Sequence, residues 1–145
     1  MQVVERVITS ARPEVVWQIL ADVEHWRDWT PTVTEIKPVG STGMKPGARY
    51  RVMQPKLRPA IYEVTNYVPG QRFTWEQKLP GGALIADHQI VPSGAGSEVE
   101  LSFTSRGLLA DIAAALFAKT IAQYVATEAH SLKTYSDKVS HQRAS

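Results

Sequence analysis

The chain has 145 residues, of which 43% are hydrophobic and 21% charged, with a formal net charge of +2 and no cysteine. This composition suits a chain that buries a core, and it argues against disorder and against a coiled coil. The lack of cysteine excludes disulfide bonds, thiolate nucleophiles, iron–sulfur clusters and cysteine-ligated zinc sites.

Neither a signal peptide nor a membrane span is visible. Glu5 and Arg6 stand where a signal peptide needs an apolar run. The most apolar stretch, residues 108–118, is shorter than the roughly 20 apolar residues that cross a bilayer. We therefore expect one cytoplasmic domain over residues 1–145, frayed at about 140–145, without stable membrane insertion.

The first part of the chain predicts a strand followed by two short helices. Gln2–Thr9 is rich in β-branched residues, which favour strands. Pro13 suits a first helical position, and apolar residues at helical spacing follow it to residue 23. A second short helix is predicted over residues 22–29, ended by Pro31. We interpret the tryptophans of both helices as structural, namely Trp17, Trp26 and Trp29.

Residues 32–106 are divided into short segments by recurrent glycine and proline, a rhythm typical of an antiparallel meander. Alternation is clearest near the end, where Val99, Leu101 and Phe103 are separated by polar residues. After Gly107 neither proline nor glycine occurs. There we predict one helix over residues 108–138, on an apolar stripe of Leu108, Ile112, Leu116, Ile121, Val125 and Leu132.

The predicted elements imply a cavity. The helix would be roughly 46 Å long and about 10 Å wide. It is long enough to cover a twisted sheet of seven strands but too narrow to fill its concave face. Alanines at positions 110, 113, 114 and 115 would leave further volume. Either large side chains fill the remaining space or a cavity is left, and we take the second as the pointer to function, a pocket between sheet and helix.

Four segments carry a resemblance to a known family. They are RPEVVWQILADVEHWRDWTPTVTEIKPV, VTNYVPGQRFTW, DHQIVPSGAGSEVELSF and the helix ending EAHSLK. Together they resemble the START-like (SRPBCC) superfamily, and within it the polyketide cyclase/dehydrase-like branch. The resemblance covers nearly the whole chain, but its motifs are structural and specify no chemistry.

The resemblance implies an α+β helix-grip fold, with a seven-stranded antiparallel sheet wrapped around a long C-terminal helix and two short helices after the first strand. It further implies a cavity for lipids, polyketides or other apolar molecules. The superfamily includes enzymes, carriers and chaperone co-factors, so the fold leaves the function open.

His88 is the first candidate for chemistry. Strand alternation places it with Leu84, Ala86 and Ile90, and an imidazole can transfer a proton on an enolisable ketone. The alternative is a buried histidine hydrogen-bonded to a neighbour. Tyr62 or Asn66 could bind a carbonyl or hydroxyl group of a ligand. A bulge in that strand would bring other residues, Ile61 and Tyr67, to the core instead.

Other predicted contacts with a ligand are mostly apolar, and plain core packing is their alternative role. From the strands they are Val52, Gln54, Val64, Phe73, Trp75, Leu84, Ala86, Ile90, Leu101 and Phe103. From the helix they are Leu109, Ile112, Ala113, Leu116, Phe117, Thr120 and Tyr124.

The charge is unevenly distributed. Residues 36–62 contain six cations and no acid, so the rest of the chain carries 10 cations against 14 acids, a net −4. By the resemblance, Lys56 and Arg58 border the pocket mouth, where they could attract an anionic group. A solvated hairpin is the alternative interpretation, and aromatic residues are not interleaved as in nucleic-acid binding.

Three functions remain open. The first is binding or transport of a small, largely apolar molecule. The second is a cyclase/dehydratase-type enzyme that uses His88, and the third is a protein-interaction module with a vestigial cavity. The four histidines show no metal-ligand spacing, and phosphate-binding and dinucleotide motifs are missing. We expect no cofactor, no metal, no nucleic acid, and a monomer or homodimer.

Overall fold

The computed structural model describes residues 1–40 and 43–144. Within these ranges seven strands form an antiparallel sheet in the order β1-β7-β6-β5-β4-β3-β2. The strands are β1 (Gln2–Thr9), β2 (Glu35–Val39), β3 (Arg49–Met53), β4 (Ala60–Val68), β5 (Arg72–Leu79), β6 (Gly82–Ser93) and β7 (Gly96–Arg106).

Helices occupy the two remaining parts of the chain. Helix α1 (Pro13–Ala21) and a 3-10 helix (Val23–Asp28) follow β1, and α2 (Leu108–Leu116) and α3 (Ala118–Ala144) follow β7. The helix-grip architecture predicted from the sequence is thereby confirmed. Residues 140–144 of the predicted frayed tail belong to α3, and residue 145 lies outside the described residues.

The prediction of one unbroken C-terminal helix is wrong. The backbone leaves the helical conformation at Phe117, with φ −114° and ψ 19°, and α2 and α3 meet at a bend of 78°. Within residues 1–40 and 43–144, no single helix is long and apolar enough to cross a membrane. The bent pair α2 and α3 together satisfies those criteria by length and composition alone.

The break lies between two apolar stripes, which the sequence-based prediction treated as one. At 100° per residue, Leu108, Ile112 and Leu116 fall within about 80° of one another, whereas the later stripe of Ile121, Val125 and Leu132 lies about 220–260° from Leu108. A straight helix would place these two stripes on opposite faces.

Helix α2 turns its small residues inward. Ala110 and Ala114 are fully buried, while Leu108 and Leu116 are each 76% exposed. The buried alanines fall on the same angular face as the stripe of α3, about 200–240° from Leu108. Small side chains therefore face the sheet, as expected for a roof that leaves volume beneath it.

Strand β4 contains a bulge. The pairing with β5 shifts between Val64 and Asn66, so that Val64 lies opposite Trp75 and Tyr67 lies opposite Phe73. Asn66 lies opposite Thr74 on the outer face and is exposed. An extra residue at a bulge reverses the alternation beyond it, and Asn66 is therefore turned away from the interior.

Helix α3 closes one end of the sheet. Ala129 and Leu132 are fully buried in the main apolar cluster, together with residues of β1, α1 and the sheet. A smaller cluster, of Phe103, Ala114 and Ile121, lies under α2. The space between these two clusters is the candidate site.

Candidate functional site

A cavity of about 610 Å³ lies between the inner face of the sheet and helices α2 and α3. Its position follows from its walls, because they include Trp26 and Leu101 of the main cluster and Phe103 and Ile121 of the smaller one. The alternation of β5, β6 and β7 sends the side chains of Trp75, Ala86 and Phe103 to one face, since these residues pair directly across the three strands.

The opening of the cavity lies at residues 54–59, between β3 and β4. The exposed lining residues gather there, Lys56 and Arg58 on the loop and Phe117 opposite at the junction of the two helices. Lys56 has φ 67°, a left-handed backbone conformation that a lysine rarely adopts. The Tyr124 hydroxyl donates a hydrogen bond to the Pro55 carbonyl oxygen, which ties α3 to this loop.

His88 lies at the inner end of the cavity and is only 3% exposed. Its ring stacks on Phe73 with centroids 4.1 Å apart, and Trp26 and Trp75 lie edge-on to it. Nδ1 lies 3.0 Å from the Phe73 carbonyl oxygen. A carbonyl oxygen can only accept, so Nδ1 carries the proton and Nε2 has a free lone pair.

Glu128 of α3 is the second ionisable group in the cavity. Its side chain is 14% exposed. Burial raises the pKa of Glu128 to about 8, while a hydrogen bond from the Thr32 hydroxyl opposes the shift. The Thr32 hydroxyl lies in turn 2.8 Å from that of Thr30. At neutral pH Glu128 is therefore mainly a neutral carboxylic acid, with one O–H to donate.

His88 and Glu128 face each other without an ion pair. The distance from His88 Nε2 to Glu128 Oε1 is 3.9 Å. Burial lowers the pKa of His88 to about 4, against the opposing effects of the Phe73 hydrogen bond and of Asp87. Both groups are consequently neutral near pH 7, and the pair offers one acceptor and one donor inside an apolar wall.

Tyr62 adds a third polar group to the cavity lining. Burial and then the nearby Glu128 carboxyl raise the pKa of Tyr62 to about 12, so the phenol keeps its proton. Its ring packs on Trp75 with centroids 5.4 Å apart. The arrangement can hold a polar atom of a ligand, and it can exchange a proton with it through neutral donors and acceptors.

Most of the residues singled out from the sequence line this cavity. They are His88, Tyr62, Lys56, Arg58, Val52, Gln54, Trp75, Leu84, Ala86, Leu101, Phe103, Ala113, Phe117 and Tyr124. Three others, Val64, Phe73 and Ile90, are buried in the main cluster behind the wall.

The remaining candidates lie away from the cavity. Asn66 is withdrawn as a site residue, because the bulge turns it to the outer face. Leu109, Ile112 and Leu116 are 50%, 48% and 76% exposed on the outside of α2, and Thr120 does not line the cavity. Their predicted inward placement treated the stripe of residues 108–116 as continuous with that of α3, whereas the two stripes differ in angular phase.

The sequence-based prediction missed several lining residues. Among them, Glu128 is the one whose side chain faces His88 and can donate or accept a proton. A signal for it was present, since Glu128 falls between Val125 and Leu132 on the apolar stripe of α3, where a carboxyl group is out of place. The other residues are Trp26, Val33, Leu57, Ala60, Gln77, Leu79, Asp87, Ser102, Ile121 and Val125.

Within residues 1–40 and 43–144, histidine and carboxylate side chains do not gather in groups of three or more that could hold an ion. The polar groups of the cavity fit hydrogen bonding instead.

Comparison with known proteins gives a family and a fold. The family model described as "Polyketide cyclase / dehydrase and lipid transport" matches residues 1–137. No curated protein sequence matches the chain. A hypothetical protein of Helicobacter pylori, jhp0584, has a similar structure, with a TM-score of 0.77 and 16% identity over 94% of this chain and 88% of its own.

Two further solved structures are similar over their whole length. TTHA0849 of Thermus thermophilus has a TM-score of 0.70 and 17% identity, and the match covers 100% of both chains. NE0264 of Nitrosomonas europaea has a TM-score of 0.71 and 11% identity, over 100% of this chain and 97% of its own. At these identities the similarity is one of fold.

Proposed function

The chain belongs to the polyketide cyclase/dehydrase and lipid transport family, and we propose from this premise that it binds and carries a small, largely apolar molecule in the cavity beneath α2 and α3. The observation that supports this most is the cavity itself, about 610 Å³ and walled by Trp75, Leu101 and Phe103. Ligand sites of small molecules commonly have about 300–1,000 Å³ and apolar walls with few polar groups.

The roof of alanines supplies a direct test. Ala113 lines the cavity, whereas Ala115 on the same helix is exposed. Native mass spectrometry of the purified protein identifies any retained molecule, and a thermal-shift screen of fatty acids, sterols, flavonoids and aromatic polyketides finds ligands that raise Tm. We expect Ala113→Phe to reduce the shift, because the larger side chain takes volume from the cavity, and Ala115→Phe to preserve it.

Two outcomes would contradict the binding function. One is a screen without a single hit and without a retained molecule. The other is a hit whose effect on Tm is the same in Ala113→Phe as in the wild type, while that variant remains folded by circular dichroism.

A second function, a cyclase/dehydratase-type enzyme, draws on the His88–Glu128 pair. An imidazole lone pair and a carboxylic acid 3.9 Å apart could move a proton to and from an enolisable ketone. Tyr62 remains a candidate to polarise the carbonyl oxygen. The test is turnover of a screening hit by the wild type and by His88→Ala, and equal rates would remove His88 from the reaction.

The third function, an interaction module with a vestigial cavity, has less support. A vestigial cavity implies an interior filled by side chains, and about 610 Å³ stays open here. The buried polar groups at its inner end would also have no purpose in such a module, since burying them costs free energy.

A further inference from the structure

The inner end of the cavity presents two hydrogen-bonding groups that do not satisfy each other. His88 Nε2 is an acceptor because Nδ1 donates to the Phe73 carbonyl oxygen at 3.0 Å. The Glu128 carboxyl is a donor in its neutral form. Their separation of 3.9 Å exceeds the 2.7–3.2 Å of a nitrogen–oxygen hydrogen bond. A group placed between them can bond to both.

We propose that the ligand carries a hydroxyl group that lies between His88 and Glu128, donating to Nε2 and accepting from the carboxyl group. For an oxygen about 2.8 Å from both atoms, the angle Nε2–O–Oε1 is about 90°. A hydroxyl can donate along one of these directions and accept along the other. This inference rests on the proposed binding function and narrows it to alcohols and phenols.

Other polar groups satisfy the pair less well. A ketone or an ether can accept from Glu128 but leaves the Nε2 lone pair without a donor. A carboxylate would direct its lone pairs at that of Nε2 and bring an uncompensated charge into an apolar space. A purely apolar ligand leaves both groups buried and unsatisfied, at a cost in binding free energy.

Three probes of nearly equal shape separate these cases. 2-Naphthalenemethanol carries the hydroxyl, 2-ethylnaphthalene replaces it by a methyl group, and 2-(methoxymethyl)naphthalene can only accept. The Kd of each is measured by fluorescence titration at pH 6.5 for the wild type, His88→Phe, Glu128→Met and Glu128→Gln. Circular dichroism and thermal unfolding establish that each variant is folded.

The measured quantity is the ratio of the Kd of 2-ethylnaphthalene to that of 2-naphthalenemethanol. We expect this ratio to fall about tenfold in His88→Phe and in Glu128→Met, the effect of one lost hydrogen bond each. Glu128→Gln keeps an N–H donor and should retain the ratio within about twofold. Binding of the ether should weaken in Glu128→Met. In His88→Phe it should be at least as tight as in the wild type, because the ether makes no bond to Nε2 and the variant removes the unsatisfied lone pair.

Matched controls remove the same side chains elsewhere. His130 is exposed on α3, and Glu98 lies on β7 with its side chain away from the cavity. His130→Phe and Glu98→Met should leave all three affinities unchanged. Should the ratio be the same in the wild type, His88→Phe and Glu128→Met while 2-ethylnaphthalene binds, the hydroxyl proposal is wrong and the binding function stands. Should none of the three probes bind the wild type while the screen finds other ligands, the hydroxyl proposal is wrong and the binding function stands; should the screen also find none, both are wrong.

Discussion

At the scale of single residues, Glu128 links the stability of the fold to pH. Its pKa is raised to about 8 by burial, against about 4.3 in an unfolded chain. The folded state therefore holds the extra proton, and stability falls as pH rises through that interval. His88 has the opposite effect, since its pKa of about 4 lies below the unfolded value of about 6.5. Its contribution rises with pH between those values and is complete near pH 6.5.

We expect the two effects to separate above pH 6.5, where only Glu128 still titrates. From pH 6.5 to 8 the free energy of unfolding should fall by roughly 1.5 kcal/mol on account of Glu128. Tyr62, with a pKa of about 12, stays neutral in this range. Urea unfolding at half-unit steps of pH measures the slope, which Glu128→Gln should reduce. The slope that remains in the variant includes His25, whose pKa is raised by its hydrogen bond with Asp22.

The control for this prediction is Glu98→Gln, which changes a carboxyl group of β7 that does not line the cavity. It should keep the wild-type slope. If Glu128→Gln and the wild type lose stability in parallel up to pH 8, the carboxyl group ionises without penalty, and its description as a neutral donor is wrong.

The strand residues of the site could be predicted from the sequence wherever the regular alternation of side chains along a strand continues without interruption. Trp75, Ala86 and Phe103 pair across β5, β6 and β7 without a shift, so period-two alternation was sufficient. Asn66 was predicted wrongly because one extra residue at the bulge of β4 reverses every later side chain. Glu128 was predictable in principle, because a carboxyl group on an apolar helical stripe is unusual.

At the scale of elements, the orientation of α2 decides which leucines of the C-terminal helices are buried and stabilise the fold. The apolar stripe of α2 faces out and that of α3 faces in, as their difference in angular phase requires even of a straight helix. The bend at Phe117 changes the direction of the axis but does not bring the leucines of α2 inward. The two stripes differ in angular phase, so the sequence does show that they cannot both face the sheet on one straight helix. The sequence does not show which face of α2 is buried, because a face of alanines and a face of leucines can both pack against a sheet. The space between α2 and the sheet decides which of the two faces is turned inward.

The same substitution in the two helices should therefore have very different effects. Leu116 is 76% exposed and Leu132 is fully buried. We expect Leu116→Ala to change the free energy of unfolding by less than about 0.5 kcal/mol and Leu132→Ala to lower it by about 2–5 kcal/mol through a cavity. Urea denaturation of both variants gives the comparison. Similar losses for the two would mean that α2 buries its leucines.

One carboxylate adds polar bonds to the apolar contact between β1 and α3. Asp137 accepts hydrogen bonds from the Thr9 hydroxyl at 2.5 Å, the Ser10 backbone N–H at 2.8 Å and Lys133 at 2.7 Å. These bonds outweigh desolvation, which is the largest single effect and acts in the other direction, and they lower the pKa of Asp137 to about 2. The carboxylate fixes the C-terminal half of α3 to the end of β1.

Asp137→Ala should accordingly destabilise the fold by about 1–2 kcal/mol at pH 7. Because the folded pKa is depressed, this contribution is complete above the unfolded pKa of about 3.9 and disappears as pH falls toward 2. Unfolding of the wild type and the variant should therefore converge in acid. The exposed Asp28, changed to alanine, serves as control, and a difference that persists at pH 2 would contradict an electrostatic origin.

At the scale of the whole molecule, the positive charge lies beside the opening of the cavity. Residues 36–62 supply six cations. Among them only Lys37 forms an ion pair within the described ranges, with Glu35 at 3.4 Å. Lys56 and Arg58 line the opening, whereas Arg49 and Arg51 are exposed on β3 and do not line it. Reversing two charges at the entrance, on Lys56 and Arg58, can therefore be compared with reversing two charges away from it, on Arg49 and Arg51.

We expect the entrance pair to accelerate the capture of amphiphiles with an anionic end. With 12-hydroxydodecanoate as probe, Lys56→Glu/Arg58→Glu should slow association several-fold at low salt, and Arg49→Glu/Arg51→Glu should slow it less. The difference should shrink as ionic strength rises toward about 1 M, where the Debye length is about 3 Å. Stopped-flow fluorescence of Trp26 and Trp75 in the cavity wall reports the rates. Equal slowing by both double variants would mean that net charge alone, rather than its place beside the opening, guides the ligand.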